Sequence, residues 1–164
     1  MDYSIETLTS VSEEDLKALY RLSKSYFDDY AELDKEDEIK DLREEHIENY
    51  FTAFINRQGR QASVARYNGR IVGYITYYEK QRQCFYKIES IGEISGFFVE
   101  KEYREKGIGT KLLERAKRFF TTRRIGYYSL FASIHDKYGI EYLKRNGMYE
   151  NNLIFHGKIE SVTD

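Results

Sequence analysis

The run from Val99 to Arg115, VEKEYREKGIGTKLLER, places Gly107 and Gly109 where a charged segment turns into an amphipathic helical pattern. Glycine weakens a helix and leaves its backbone uncovered, so two of them at a helix start ask for a reason. A strand ending at Val99, a glycine loop and a helix start near Gly107 gather free backbone N–H groups and the positive end of a helix dipole at one spot. Such a spot suits an anion. Without a Cβ in the way a phosphate reaches the N–H groups, and Arg104, Lys106 and Lys111 add charge. The alternative is a tight connection that binds nothing. Two well-known phosphate loops do not fit: a dinucleotide fingerprint needs a third glycine where Leu112 stands, and a P-loop needs Gly-Lys-Ser/Thr where the chain reads Gly109-Thr110-Lys111.

The elements that must position this loop belong to a chain of 164 residues, long enough for one domain with a sizeable core. A single domain over residues 1–164 is expected. Hydrophobic residues make up 41% and charged residues 33%, a globular balance that argues against disorder. The lone Cys84 excludes an internal disulfide, and with His46, His135 and His156 it gives no metal-ligand spacing, so no metal is expected and a reducing compartment is. The N-terminus has neither a basic start nor an apolar run, and no stretch approaches the roughly 18 apolar residues of a membrane span. These features predict a soluble, cytoplasmic protein with no membrane partner. Charge is lopsided: residues 1–50 hold 16 acidic and 6 basic side chains, and the remainder 12 and 20. Cationic and anionic ligands meeting at one site would suit that division, and so would plain solvated helix faces. Nucleic-acid binding is a poor fit, because the basic residues flank the anion loop rather than form one face with interleaved aromatics.

Tyr3 to Leu8 alternates like a strand. Ser12, followed three residues later by Asp15, predicts a capped helix from about Glu13 to Asp29, with Leu16, Leu19, Leu22 and Tyr26 on its core side. The acidic segment DDYAELDKEDEIKD reads as locally mobile before a second helix that runs to about Phe54 on a stripe of Leu42, Ile47, Tyr50, Phe51 and Phe54. Asn68-Gly69 between QASVARY and RIVGYITYYE is the strongest hairpin signal. A strand ending IGEISGFFV follows, with Gly96 marking a bulge or a close backbone approach. The helix after GIG carries Ile108, Leu112, Leu113, Ala116, Phe119 and Phe120 on one stripe. YYSLFAS reads as a buried strand, DKYGIEYLKRNG as a short helix stopped by Gly147, and MYENNLIFHGKI as one or two closing strands. The class is α/β (α+β): a mixed, mostly antiparallel sheet of six to seven strands flanked by about four helices.

Val99-x-x-x-Tyr103-Arg104-x-Lys106-Gly107-Ile108-Gly109, with Leu112-Leu113 beyond, resembles the acetyl-CoA signature of the GNAT acyltransferase superfamily, whose core is Arg/Gln-x-x-Gly-x-Gly/Ala. The element order resembles that fold over nearly the whole chain. The resemblance implies acetyl-CoA as acyl donor and an amine acceptor. Backbone N–H groups from Arg104 through Glu105, Lys106, Gly107 and Ile108 to Gly109, with the Thr110 hydroxyl, would hold the pyrophosphate. Main-chain groups of Phe97, Phe98 and Val99 would pair with the pantetheine arm like an added strand. The strand bearing them would splay from a parallel neighbour at about 127–132, with a bulge at Ser95-Gly96 in the first.

Acyl transfer to an amine needs a neutral nucleophile, so a base is expected nearby. Glu93, eleven residues before Arg104, matches by position the glutamate base of histone acetyltransferases in this superfamily; the alternative is cross-strand pairing. The family often protonates its leaving thiolate with a tyrosine at the place held here by Leu143, so Tyr142 beside it becomes the candidate acid, with water or unassisted departure as alternatives. Asp136 stands where the family often has an asparagine that contacts pantetheine; a plain helix N-cap is the other reading. The acidic run from Asp28 to Asp34 and Glu36, Asp37 and Glu38 would border the acceptor and suit a cationic amine. The leading expectation is an acetyl-CoA-dependent N-acetyltransferase acting on a primary amine by direct transfer in a ternary complex. The other is a non-catalytic module of this fold that senses or scaffolds CoA or acyl-CoA. A homodimer is compatible with the resemblance.

Overall fold

Asn68 and Gly69 take positive φ values of 48° and 81°, the backbone a type I′ turn requires, and that turn sets the register of the sheet. In the computed structural model, which describes residues 3–34, 39–152 and 154–155, strands β2 (Arg60–Tyr67) and β3 (Arg70–Gln81) pair through it. β1 (Tyr3–Thr7) adds antiparallel to β2, and β4 (Ser90–Val99) antiparallel to β3. β5 (Tyr128–Leu130) joins β4 in parallel, completing the order β1-β2-β3-β4-β5. The helices are α1 (Glu13–Leu33), α2 (Glu44–Ile55), α3 (Ile108–Thr122) and α4 (Lys137–Arg145).

α1 and α2 cover one face of the sheet and α3 the other, so β3 is buried on both sides. Ile71 and Tyr74 pack with Leu19, Leu22, Phe51 and Phe54, while Val72, Ile75 and Tyr77 pack with Leu112, Leu113 and Phe120. Hydrophobic burial on two faces is the main force that fixes β3 and β4 at the centre.

α1 begins where Ser12 accepts from the Asp15 N–H at 3.1 Å, and it runs four residues past the expected end. The extra turn is held by Lys24 on Asp28 at 2.7 Å and by Tyr26, whose ring lies 4.6 Å from Tyr30 and 6.1 Å from Phe98. Residues 28–33 of the segment expected to be mobile are therefore helix, and 35–38 lie outside the described residues. The expected strand at 127–132 shrinks to three residues, with Tyr127 and Phe131 58% and 60% exposed. Among the described residues no strand lies on its outer side, so only the positions opposite Gly92 to Ile94 are held. Among the described residues the sheet therefore has five strands where six to seven were expected. Of the expected closing strands, residues 148–152, 154 and 155 adopt none, and 153 and 156–159 lie outside the described residues.

Candidate active site

The loop between β4 and α3 starts with a 3₁₀ turn at Lys101–Tyr103 and ends on Gly107, the α3 N-cap, at φ 80°. Glu105 also takes a left-handed φ of 60°, a conformation that costs a non-glycine residue about 1 kcal/mol and collects at functional sites. Two left-handed residues so close together turn successive N–H groups the same way. The first helical bond is Lys111 N–H to Gly107 O at 3.0 Å. Among the described residues the N–H groups of Glu105, Lys106, Gly107, Ile108, Gly109 and Thr110 have no acceptor.

The charges expected to help are engaged within the chain. Arg104 Nε donates to Val99 O at 2.8 Å, its Nη2 lies 3.6 Å from Asp29, and its guanidinium faces the Phe98 and Tyr138 rings at 5.3 and 5.9 Å. Its N–H goes to Lys101 O at 3.2 Å, so Arg104 stands outside the set of open donors. It ties α1, β4 and α4 together instead. Lys106 Nζ reaches Glu102 O at 2.6 Å, and Lys111 lies 3.3 Å from Glu114.

Pairing between β4 and β5 stops at Ile94 opposite Leu130, although β4 runs on to Val99. Beyond Ile94, where the resemblance implied a splay, β4 has no strand partner on this side among the described residues. The N–H of Glu100 bonds Val72 O at 3.0 Å, which fixes the alternation along this end of β4: Phe98 turns its polar backbone atoms toward β3, and Phe97 and Val99 turn theirs to the open side. Val99 O is the one taken by Arg104.

The bulge is where it was expected. Thr76 pairs with Gly96 and Tyr77 with Ile94, leaving Ser95 as the extra residue. Three hydroxyls meet there on the α1–α2 face: Tyr50 Oη lies 2.7 Å from Thr76 Oγ1 and 3.1 Å from Ser95 Oγ, and the last two are 3.1 Å apart. Gly96 makes room for them, since a Cβ would come within 2.8 Å of Thr76 Oγ1 and 3.1 Å of Tyr50 Oη. The sequence reading missed this group and placed Tyr50 in the core stripe. The available signal was Thr76, a polar residue between Tyr74 and Tyr78 on an otherwise apolar face.

Glu93 lies on that same face and accepts from Tyr78 Oη at 2.6 Å and from Lys80 Nζ. Burial pushes its pKa up, but the hydrogen bonds from Lys80 and Tyr78 and the Lys80 charge outweigh this and hold it below its ordinary value. Burial likewise drives the Tyr78 hydroxyl up to about 12. The Asp136 carboxylate accepts from the Gly139 N–H at 2.8 Å and so caps α4.

Tyr142 comes to the loop although the family position belongs to Leu143. Its ring centroid is 5.8 Å from Phe97, and a Cβ on Gly109 would lie 3.0 Å from its hydroxyl. That hydroxyl is buried without a hydrogen-bond partner; burial raises its pKa, with the neighbouring Thr110 hydroxyl working the other way. Near Arg104, Ser25, Asp28, Asp29, Phe98, Glu100, Lys101 and Glu102 line a cavity of about 210 Å³. The carboxylates expected to steer a cation are themselves paired, Asp28 with Lys24 and Asp29 with Lys101, each at 2.7 Å.

Open N–H groups at a helix start, a strand edge without a partner among the described residues and a bulge in that strand match what the resemblance implied, and sequence comparison agrees on the family. The model of the acetyltransferase (GNAT) family matches residues 16–148. The chain belongs to that family. An uncharacterized N-acetyltransferase of Methanocaldococcus jannaschii is 28% identical over 148 residues, 90% of this chain and 62% of the relative. Another from Archaeoglobus fulgidus is 30% identical over 110 residues, 67% of this chain and 68% of the relative. The chain thus spans less than two thirds of the length of the first. Among solved structures, the aminoglycoside N-acetyltransferase AAC(6')-Iy in complex with CoA shares the fold, with a TM-score of 0.72 at 14% identity over 96% of this chain and 95% of its own.

Proposed function

We propose that this chain is an acetyl-CoA-dependent N-acetyltransferase that acetylates a primary amine by direct transfer. The observation that carries the reading is the run of six N–H groups from Glu105 to Thr110 that have no acceptor among the described residues, at the end of a strand edge open at Phe97 and Val99. The orphaned Tyr142 hydroxyl at Gly109 supports the same fit, because a buried hydroxyl without a partner is costly unless a ligand satisfies it. Residues 105–110 would hold the pyrophosphate, and Phe97 and Val99 the pantetheine. The glycines stay bare for that approach. Bound acetyl-CoA supplies a thioester whose acetyl group passes to the amine nitrogen as the sulfur leaves.

Glu93, kept ionised by Lys80 and Tyr78, takes the proton that the nitrogen sheds as it becomes an amide. A carboxylate held below its ordinary pKa is too weak a base to strip an alkylammonium of pKa about 10.4, so the chain works on the neutral fraction of its acceptor. Tyr142 is protonated at neutral pH, as any phenol of ordinary pKa about 10 is and the more so with burial raising it, and it donates that proton to the departing sulfur.

Thermal unfolding with and without acetyl-CoA tests the cradle, beside a Gly107→Glu variant that fills it. At a hundred times the Kd the parent gains about 2.7 kcal/mol and a folded variant gains nothing. No shift in either at millimolar acetyl-CoA removes the reading. A second reading, a module that binds CoA without turnover, draws on the engagement of Glu93 by Lys80 and Tyr78. Stabilisation by acetyl-CoA with no thiol release across a panel of amines would favour it.

A further inference from the structure

Away from the cradle, α3 and the β1–β2 end of the sheet border a concavity of about 270 Å³ lined by Gln61, Arg115, Arg118, Phe119 and Thr122. Arg115 Nη2 donates to Thr7 Oγ1 at 2.9 Å, which holds its guanidinium against β1. Neither Arg115 nor Arg118 has a carboxylate partner among the described residues, whereas Arg21, Arg66, Arg70, Arg104 and Arg123 each meet one. Glu114, the one acid on α3, lies on Lys111 at 3.3 Å, and Glu79 of β3 lies on Arg123 at 2.9 Å. Two fixed positive charges therefore face this space without a counter-charge from the chain.

A guanidinium donates and never accepts, and among the described residues the Arg118 side chain has no acceptor and Arg115 has only Thr7. Gln61 Oε1 accepts from Tyr77 Oη at 2.9 Å, and Tyr77 is also bonded to Ser63 at 2.9 Å, so the amide nitrogen is the part of Gln61 left for a ligand. Thr122 gives its hydroxyl hydrogen to Phe119 O at 2.8 Å. Three donor-bearing side chains from two elements thus line one space. A phosphate group has three terminal oxygens and can meet all three; a carboxylate has two to share among them. The volume is below the roughly 300–1,000 Å³ of sites for drug-sized ligands, so a small molecule fits. Phe119, its ring 5.1 Å from Tyr77, gives one apolar wall for a short organic tail.

We propose that Gln61, Arg115 and Arg118 form a second anion site, which takes the phosphate group of a small molecule. It is separate from the cradle. The rise of an α-helix puts Arg115 and Arg118 about 12 and 17 Å along α3 from Gly107, and Thr7 and Gln61 belong to the end of the sheet away from the open side of β4. The later turns of α3 approach the negative end of its dipole, so the guanidiniums and not the helix supply the attraction. Free phosphate and a phosphate ester share this chemistry. The site is independent of whether the chain transfers acetyl groups.

Side-chain NMR of the isotope-labelled protein tests this, with CoA present to occupy the cradle and chloride added to keep the ionic strength constant. The Nε–H signals of Arg115 and Arg118 and the Gln61 amide are followed during titration with orthophosphate, ribose 5-phosphate and ribose. At least one of the two phosphates is expected to move all three signals along one saturable curve, and ribose to move none. Arg118→Gln, at an exposed position, should weaken that binding about tenfold while Tm without ligand and the response to CoA stay as in the parent. Tighter binding of ribose 5-phosphate than of orthophosphate assigns the site to an ester, and equal or weaker binding to free phosphate. No saturable movement with either phosphate overturns the inference, as does full affinity in Arg118→Gln. Neither result touches the N-acetyltransferase reading, which stands or falls on stabilisation by acetyl-CoA.

Discussion

Single atoms carry much of this site. A methyl group on Gly109 would lie 3.0 Å from the Tyr142 hydroxyl and 3.3 Å from its Cζ, so Gly109→Ala displaces the tyrosine while improving the helix propensity of α3 by up to about 1 kcal/mol. The expected outcome is unchanged or higher thermal stability with weaker acetyl-CoA binding, read by calorimetry on both proteins. Glu93→Gln should lower kcat without moving the acid limb of the pH profile of kcat/KM. Glu93 is ionised throughout the working range, so activity rises with pH as the acceptor's own ammonium loses its proton. An acid limb that shifts in the variant would return Glu93 to the role of titrating base. Asp15, 9% exposed, binds Arg66 through both carboxylate oxygens at 2.7 and 3.0 Å, and the Arg66 hydrogen bond lowers its pKa despite burial. A lowered carboxylate pKa stabilises the fold above the unfolded value of about 3.9, and that stability fades as pH falls through the folded value. Asp15→Asn should therefore cost about 2 kcal/mol near neutrality and progressively less below about pH 4, measured by denaturant unfolding across pH.

The bulge in β4 is the element that brings hydroxyls of α2, β3 and β4 together. Gly96→Ala forces a Cβ to 2.8 Å from Thr76 Oγ1 and 3.1 Å from Tyr74, so it should cost about 1–3 kcal/mol, read by denaturant unfolding. The bulge was legible because a glycine interrupts a strand, and the β2–β3 hairpin because Asn-Gly accepts two positive φ values. Both are backbone demands that a residue type advertises locally. The hydroxyl triangle was not legible, since Tyr50, Thr76 and Ser95 come from three elements and meet only once the sheet twists under α2. Tyr142 was half legible. One position along a helix turns a side chain by about 100°, away from the place of Leu143, and the contacts of α4 with Arg104 and Phe97 decide where it points.

For the molecule as a whole, Arg104 has the opposite meaning from the one its sequence suggests. Read beside two glycines it is a charge for phosphate, whereas its contacts with Asp29, Val99 and Tyr138 bind three elements of the fold. Arg104→Ala should lower stability by about 2 kcal/mol through lost hydrogen bonds and packing, visible as a lower Tm without ligand. An unchanged Tm with weaker CoA binding would restore it to the cradle. The two-sided core was readable from the spacing of apolar residues; inward-turned charges were not, because partners such as Asp15 and Arg66 lie 51 positions apart in the chain. The alternation at the end of β4 has its own signature in time. Along one strand, the amides of Phe98 and Glu100 should exchange their hydrogens with deuterated water slowly and those of Phe97 and Val99 quickly, since only the first pair faces β3. Acetyl-CoA should slow the fast pair and leave the slow pair as it was, so the ligand registers as the sheet's missing neighbour.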